Sequence, residues 1–443
     1  MKPSLFADAV ITAASTSDGH TLAQLFAIGG PLAASLLLEL PDPRPPRIIA
    51  ALRKCTGYLA SPWEDMCSHH LSALYSFSIA SSLPAGGVDA EGRTRGERLG
   101  EAFDAYNSVV TAFLRFFSTL TPGRWALPLL RILCLNLRWL AVQADSAAAD
   151  VPSGNPAVRT AAQPNRRLEE CARQLNKAFT ACIADRNPSL VDSRKWGTYE
   201  IVGLVFKTYF RLKSISLCRN ILRAISAAAL PELEDFPRSQ QVTFRYYTGV
   251  LAFLNEEYER GEVELERALR GCKRGQEQVG LILVYLVPVK LLKGQLPHPS
   301  LLSKLEVYKP FIEALRTGDV KRFDSALRHP QTERWLVKRG TYIAIERARD
   351  ATLRTLLKLT YLSLPPAPGT STQPTRIALT TLHAATSSEL VGLRYTKEEL
   401  EWVLATLIYK GYVKGYIAHE RGVLVLSAKE AFPRLANVPV TTT

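Results

Sequence analysis

The sequence predicts an all-α fold: a helical, tetratricopeptide-like solenoid followed by a C-terminal winged helix. Three observations carry that expectation. Apolar residues recur at helical spacing through most of the 443 residues. The stretch 246–272 places small residues at the offsets of a tightly packed helix pair. Residues 396–427 read as helix, strand, turn and strand.

In chain order, helical periodicity predicts Ala102–Leu120, Leu127–Ala144, Arg166–Ala184, Gly197–Leu212, Ile215–Ala228, Val242–Leu254, Val263–Cys272 and Leu281–Leu292. Gly249, Gly261 and Ala268 stand at offsets 0, 12 and 19, where two tetratricopeptide-type helices approach each other. Ser300–Gly318 and Asp319–Ala326 read as another helix pair, with Thr317-Gly318-Asp319 supplying the turn and an N-cap. Three segments have loop chemistry: 84–98, 145–165 and 365–375 are rich in Gly, Pro, Ser and Thr. Together these signals divide the chain into an N-terminal helical region (1–145), a flexible linker (146–165), the solenoid (166–350), the winged helix (351–430) and a disordered tail (431–443).

The winged helix is read from local chemistry. Thr396 and Glu399 form a capping box, the hydroxyl closing the helix start and the carboxylate reaching back. Leu400, Val403, Leu404, Leu407 and Ile408 make one apolar face, and Gly411 stops the helix. Two β-rich runs, YVKGYIA and GVLVLS, flank a polar turn ending in Gly422. Trp196 and Trp402 are expected to be buried anchors beside their apolar helices.

Charge is uneven. Residues 1–159 hold thirteen basic and thirteen acidic side chains, so the remaining residues carry the whole formal +14. An excess confined to one part of the chain points to a polyanionic partner there. On the winged helix, Lys397, Lys410, Lys414 and Arg421, with Tyr412 and Tyr416 interleaved on one strand face, make a candidate nucleic-acid surface. Upstream, Arg334, Lys338, Arg339, Arg347, Arg349, Arg354 and Lys358 crowd one helical region; some are expected to pair internally with Glu346 and Asp350.

No catalytic constellation emerges. P-loop, GxGxxG, GxSxG, HExxH and EF-hand spacings are missing, so the chain reads as a non-enzyme without cofactors. Cys67-Ser68-His69-His70 has no second ligand pair, which speaks against a metal site. The glutamates between 256 and 266 read as a solvated helix face. Seven scattered cysteines without a CxxC pair suggest reduced thiols in a cytosolic or nuclear protein. The longest apolar run, 281–289, is short of the roughly 20 residues a bilayer span needs, so no membrane association is expected.

A helical solenoid closed by a winged helix resembles the PCI domain, shared by proteasome-lid, COP-nine signalosome and initiation-factor-three subunits. The stretches DSRKWGTYEIVGLVFKTYFRLKSISLCRNILRAI, FRYYTGVLAFL, LILVYLVPVKLL, KRGTYIAIERARDATLRTLL and LIYKGYVKGYIAHERGVLVLS resemble the fungal branch of COP-nine signalosome subunit twelve. That branch is similar to the PCI subunit of the transcription-coupled mRNA export complex. The resemblance covers about residues 165–435. It implies a non-catalytic scaffold in a nuclear mRNA maturation or export complex, with the cytoplasm as a second location. It implies pairing with a larger PCI-domain protein through the winged helices, which together offer a basic platform to RNA or duplex DNA. It also implies binding of a small, acidic, disordered protein of the proteasome-lid type. Lys207, Arg211, Lys213 and Arg219, clustered in KTYFRLKSISLCR, are the candidate contacts for that acidic partner. The alternative is a structural signalosome-type subunit that touches no nucleic acid.

Overall fold

The computed structural model describes residues 2–39, 52, 61–84, 87–149, 165–273, 277–302, 305–366, 373–388 and 392–439. They form two compact units, Met1–Phe244 and Arg245–Thr443.

The first unit is helical: α1 (Pro3–Ser15), α2 (Gly19–Leu25), α3 (Pro31–Leu38), α4 (Trp63–Ser82), α5 (Arg95–Thr119), α6 (Leu127–Ala149), α7 (Arg166–Ile183), α8 (Thr198–Arg211) and α9 (Ser216–Ala227). Successive helices pack on one another from α4 through α9. The long α5 starts at a second capping box, Thr94 with Glu97, so the expected loop 84–98 gives way to helix at Arg95. Its Phe103, Tyr106, Val110, Phe113 and Phe117 are buried, as are Leu130, Leu133, Leu137 and Leu140 of α6. Each such side chain contributes roughly 1.5–3 kcal/mol through burial. Residues 124–149 are long and apolar enough to span a bilayer by length and composition, a property the run at 281–289 lacks; here α6 is a core helix packed by α5, α7 and α2. Helix α6 also absorbs the first four residues of the expected linker; residues 150–164 lie outside the described residues.

Cys67 and His70 turn into this core while His69 faces solvent, so the four-residue run at 67–70 does not converge on one point. His70 sits in an aromatic cage, its ring centroid 6.0, 5.1 and 6.1 Å from those of Phe6, Phe26 and Tyr106. Burial pushes its imidazole down to about 3, with the Leu25 backbone offsetting only part of the effect. The unfolded chain therefore takes up this proton near 6.5, before the folded one does. Stability is present above 6.5 and drains as pH falls through it. Between pH 7 and pH 5 this group is expected to cost roughly 2 kcal/mol. Urea midpoints for wild type and His70→Phe across that range check it; equal pH slopes would refute the assignment.

Helix α10 (Arg238–Leu254) contains the boundary between the units. The second unit continues with α11 (Tyr258–Gly271), α12 (Glu277–Leu292), α13 (Pro299–Leu302), α14 (Lys309–Thr317), α15 (Val320–Leu327), α16 (Pro330–Arg339) and α17 (Tyr342–Ser363). The small-residue offsets are realised: a Cβ on Gly249 would lie 2.8 Å from Leu265 Cγ, and one on Gly261 3.2 Å from the Gly249 carbonyl oxygen. The glutamates of α11 are not simply solvated. Lys290 reaches both Glu262 and Glu266, and Lys293 Nζ lies 2.5 Å from Glu262.

The winged helix runs α17, β1 (Arg376–Ala378), α18 (Leu379–Ser387), α19 (Lys397–Tyr409), β2 (Gly415–Ala418) and β3 (Val423–Leu426). The sheet is antiparallel in the order β1-β3-β2. Strand β1 is an addition to the expected two strands. Residues 431–439 depart from the expected disordered tail. Arg354, buried on α17, donates to the carbonyls of Phe432 (3.1 Å) and Pro433 (2.6 Å), Tyr361 packs on Phe432, and Val438 is buried. The last four residues, 440–443, lie outside the described residues.

Candidate nucleic-acid and partner interface

Helix α19 sits where a winged helix carries its recognition helix. Its capping box holds as expected, with Glu399 N–H donating to Thr396 Oγ1 (3.2 Å) and Thr396 N–H to Glu399 Oε2 (2.9 Å). Leu400, Leu404 and Leu407 are buried. The opposite face is unusual. Trp402 is 72% exposed and Tyr409 79%, which corrects the expectation of a buried Trp402. Helical arithmetic explains it: two residues rotate Trp402 by about 200° from Leu400, onto the far side. Trp196 is half-buried, with its Nε1 donating to the Leu190 carbonyl (2.7 Å).

The six candidate nucleic-acid residues separate. Lys410 is spent internally: its Nζ lies 2.6 Å from Asp350 Oδ2, and both are largely shielded. Lys414 pairs with Glu430 at 2.6 Å on the surface, where such pairs exchange readily. Tyr412 is only 7% exposed and precedes the strand instead of lying on it. Gly411 at φ +81° turns the chain there and drops the ring into the core, and burial pushes the phenol up to about 12. Lys397 stands exposed in the first turn of α19, beside Glu398 and Glu399. Arg421 is exposed at the tip of the wing, and Tyr416 is 63% exposed on β2. Neither Lys397 nor Arg421 has an ion pair among the described residues.

Strand β1 supplies what the sequence reading missed. Tyr416 pairs with Val425, and Val425 pairs with Arg376 on the other side. Direct antiparallel partners share a face, so Tyr416, Val425 and Arg376 form one row on the solvent side. Ile377 and Leu424, one residue along, are buried. An aromatic and a guanidinium thus stand two strands apart, about 10 Å. Arg376 follows a Pro-rich loop, and only its alternation with Ile377 hinted at a strand. His419 Nδ1, 2.7 Å from Glu401 Oε2, ties the wing to α19.

The upstream arginines are mostly structural, with partners other than Glu346 and Asp350. Arg347 reaches Glu256 (2.6 Å) and Arg349 grips Asp324 with two bonds (2.7 and 2.9 Å) plus the Tyr395 hydroxyl. Asp350 is the partner of Lys410 instead. Arg334, Lys338 and Arg339 remain exposed on α16.

The acidic-partner candidates lie in the first unit. Lys207 and Arg211 are one turn apart on the exposed face of α8. Lys213 follows in the turn at φ +58°, and Arg219 is exposed in the first turn of α9.

No family model matches the chain. It is similar to "Protein CSN12 homolog" of Mycosarcoma maydis, 71% identical over 455 aligned positions that cover all of both chains. A protein of the same name from Neurospora crassa is 39% identical over 354 positions, 75% of this chain and 77% of that one. "PCI domain-containing protein 2" of Danio rerio is 28% identical over 438 positions, 97% of each. The likeness to the first spans the helical repeats and the three-stranded winged helix alike. With that architecture and these relatives, the chain belongs to the CSN12 family of PCI-domain proteins.

Proposed function

We propose that the chain is a non-catalytic PCI scaffold subunit of a nuclear mRNA maturation or export complex. Its winged helix pairs with a larger PCI-domain protein, the first unit holds a small acidic disordered protein, and the wing touches RNA or duplex DNA. The observation that carries this reading is the exposure of Trp402, Tyr409 and Tyr416 on a winged helix whose core is otherwise closed. Large exposed aromatics are the side chains that dominate protein interfaces and also stack on bases.

The two roles divide by charge. Helix α19 carries Lys397 against Glu398, Glu399 and Glu401, so its outer face is poorly suited to a phosphate backbone and well suited to protein. The wing carries Arg376 and Tyr416 on the solvent face of the sheet and Arg421 at its tip, where Glu420 is the neighbouring carboxylate. Reversing both arginines (Arg376→Glu, Arg421→Glu) is expected to flatten the salt dependence of RNA or duplex DNA binding by about two units. Filter binding over a salt series, with the PCI partner present, measures it. An unchanged slope places the nucleic-acid surface elsewhere. Loss of Lys410 to an internal pair supports the second reading, a signalosome-type structural subunit; undetectable nucleic-acid binding at low salt by the paired proteins would select it.

A further inference from the structure

A cleft of about 820 Å³ opens in the first unit. Its walls come from α2, the start of α6, the start of α8 and the start of α10. The lining is mixed. Leu127, Pro128, Ile201 and Ala23 are apolar, Gln24 is exposed at the rim, and Arg131 pairs with Glu200, which also accepts from Gln240 Nε2 (3.0 Å). From this cleft a row of cations runs along the seam of α6 and α8. Arg138, two turns beyond Arg131, donates from Nε to Thr208 Oγ1 (3.2 Å), next to Lys207, and Arg211 follows one turn later. Two carboxylates line the cleft itself, and both are engaged: Glu200 as above, and Asp18, which caps α2 by accepting from the His20 and Thr21 N–H groups and the Thr21 hydroxyl.

We infer that this cleft and row bind an extended acidic peptide that seats one apolar side chain in the cleft. The inference rests on the acidic-partner reading above and gives that partner an anchor. The chemistry favours peptide over nucleic acid. The obvious stacking surface, Trp196, is already covered by Arg124, 4.7 Å from its ring, and by Phe236, 5.0 Å from it. Glu200 would repel a phosphate at every nucleotide, whereas a peptide can present a neutral apolar residue and an N–H to it and keep its carboxylates for the cations beyond the cleft. The geometry also sets a spacing. Lys207 and Arg211 lie seven and eleven residues along the helix from Glu200, about 10 and 16 Å. An extended chain covers about 3.4 Å per residue. The carboxylates that meet them therefore sit roughly three and five residues from the anchor.

The test uses the full-length protein and a fluorescent synthetic peptide with one central leucine and about five aspartates on either side. Wild type is expected to bind it, and the same peptide with serine for leucine at least tenfold more weakly. Gln24→Trp, which fills the cleft from its rim, and Lys207→Glu with Arg211→Glu are each expected to weaken binding at least tenfold. Unchanged circular dichroism and melting would show that neither variant acts through misfolding. Binding that responds to the charge reversal but ignores both Gln24→Trp and the serine peptide overturns the anchor and leaves the acidic-partner reading standing. Failure of every acidic peptide to bind overturns both. Displacement of the peptide by single-stranded RNA, with RNA binding insensitive to Gln24→Trp, would assign the row to nucleic acid and overturn the proposal.

Discussion

Replacing Asp185 by alanine is expected to destabilise the protein by about 3–5 kcal/mol, because it strands a buried guanidinium. Asp185 and Arg194 are both buried, their Oδ1 and Nη2 3.1 Å apart. Asp185 also accepts from Ser193 Oγ (2.7 Å) and the Arg194 N–H (2.8 Å), while Arg194 donates to the Phe117 carbonyl and lies over the Phe117 ring. Burial alone would raise the aspartate's pKa; the hydrogen bonds from Ser193 and Arg194 outweigh it and lower it. A unit the size of the first, residues 1–244, loses roughly 2–4 °C of melting temperature per kcal/mol, so a drop of roughly 6–20 °C is expected for it. Asp185→Ala with Arg194→Leu should recover part of it, since no unpaired charge then remains. A single variant melting within a degree of wild type would show that the pair does not hold the fold.

Trp402→Glu with Tyr409→Glu is expected to weaken pairing with the larger PCI protein at least a hundredfold while leaving the chain's own melting unchanged. Both side chains are exposed and seven residues apart, two turns or about 10 Å along one face of α19. Exposed aromatics of this kind, once covered by a partner, account for roughly 2–4 kcal/mol each. Two of them therefore exceed the factor of a hundred. Calorimetric titration of the purified partner measures the loss. Retained affinity would move the interface off α19; a lowered melting temperature would mean the rings support the fold.

Local signals were legible and long-range pairings were not. The capping box at Thr396 depends on residues three apart, and Gly249 with Gly261 and Ala268 depends on a repeat spacing, so both could be read and both are realised. Lys410 and Lys414 looked free because their carboxylates, Asp350 and Glu430, stand sixty and sixteen residues away. Tyr412 seemed to continue the alternation of β2, but the strand begins only at Gly415. Strand β1 has three residues and earns its place solely by pairing with β3. With it went Arg376, the cation that completes the solvent row. Trp402 was within reach of helical arithmetic; the assumption that a tryptophan seeks burial overrode the geometry.

The clasp between Arg354 and the Phe432 and Pro433 carbonyls has a bearing on biosynthesis. The ribosome makes Arg354 seventy-eight residues before the first of those acceptors. At about 5–20 residues per second, the guanidinium waits on the order of 4–16 s for its partners. During that interval every helix and strand of the second unit has been made, yet α17 still has an unsatisfied cation and the seat of Phe432 is open. A stop codon anywhere between β3 and Pro433 would therefore release a chain that has every α-helix and strand but an uncovered apolar seam, the kind of product that chaperones retain, and a pause there would prolong the same exposure on the ribosome.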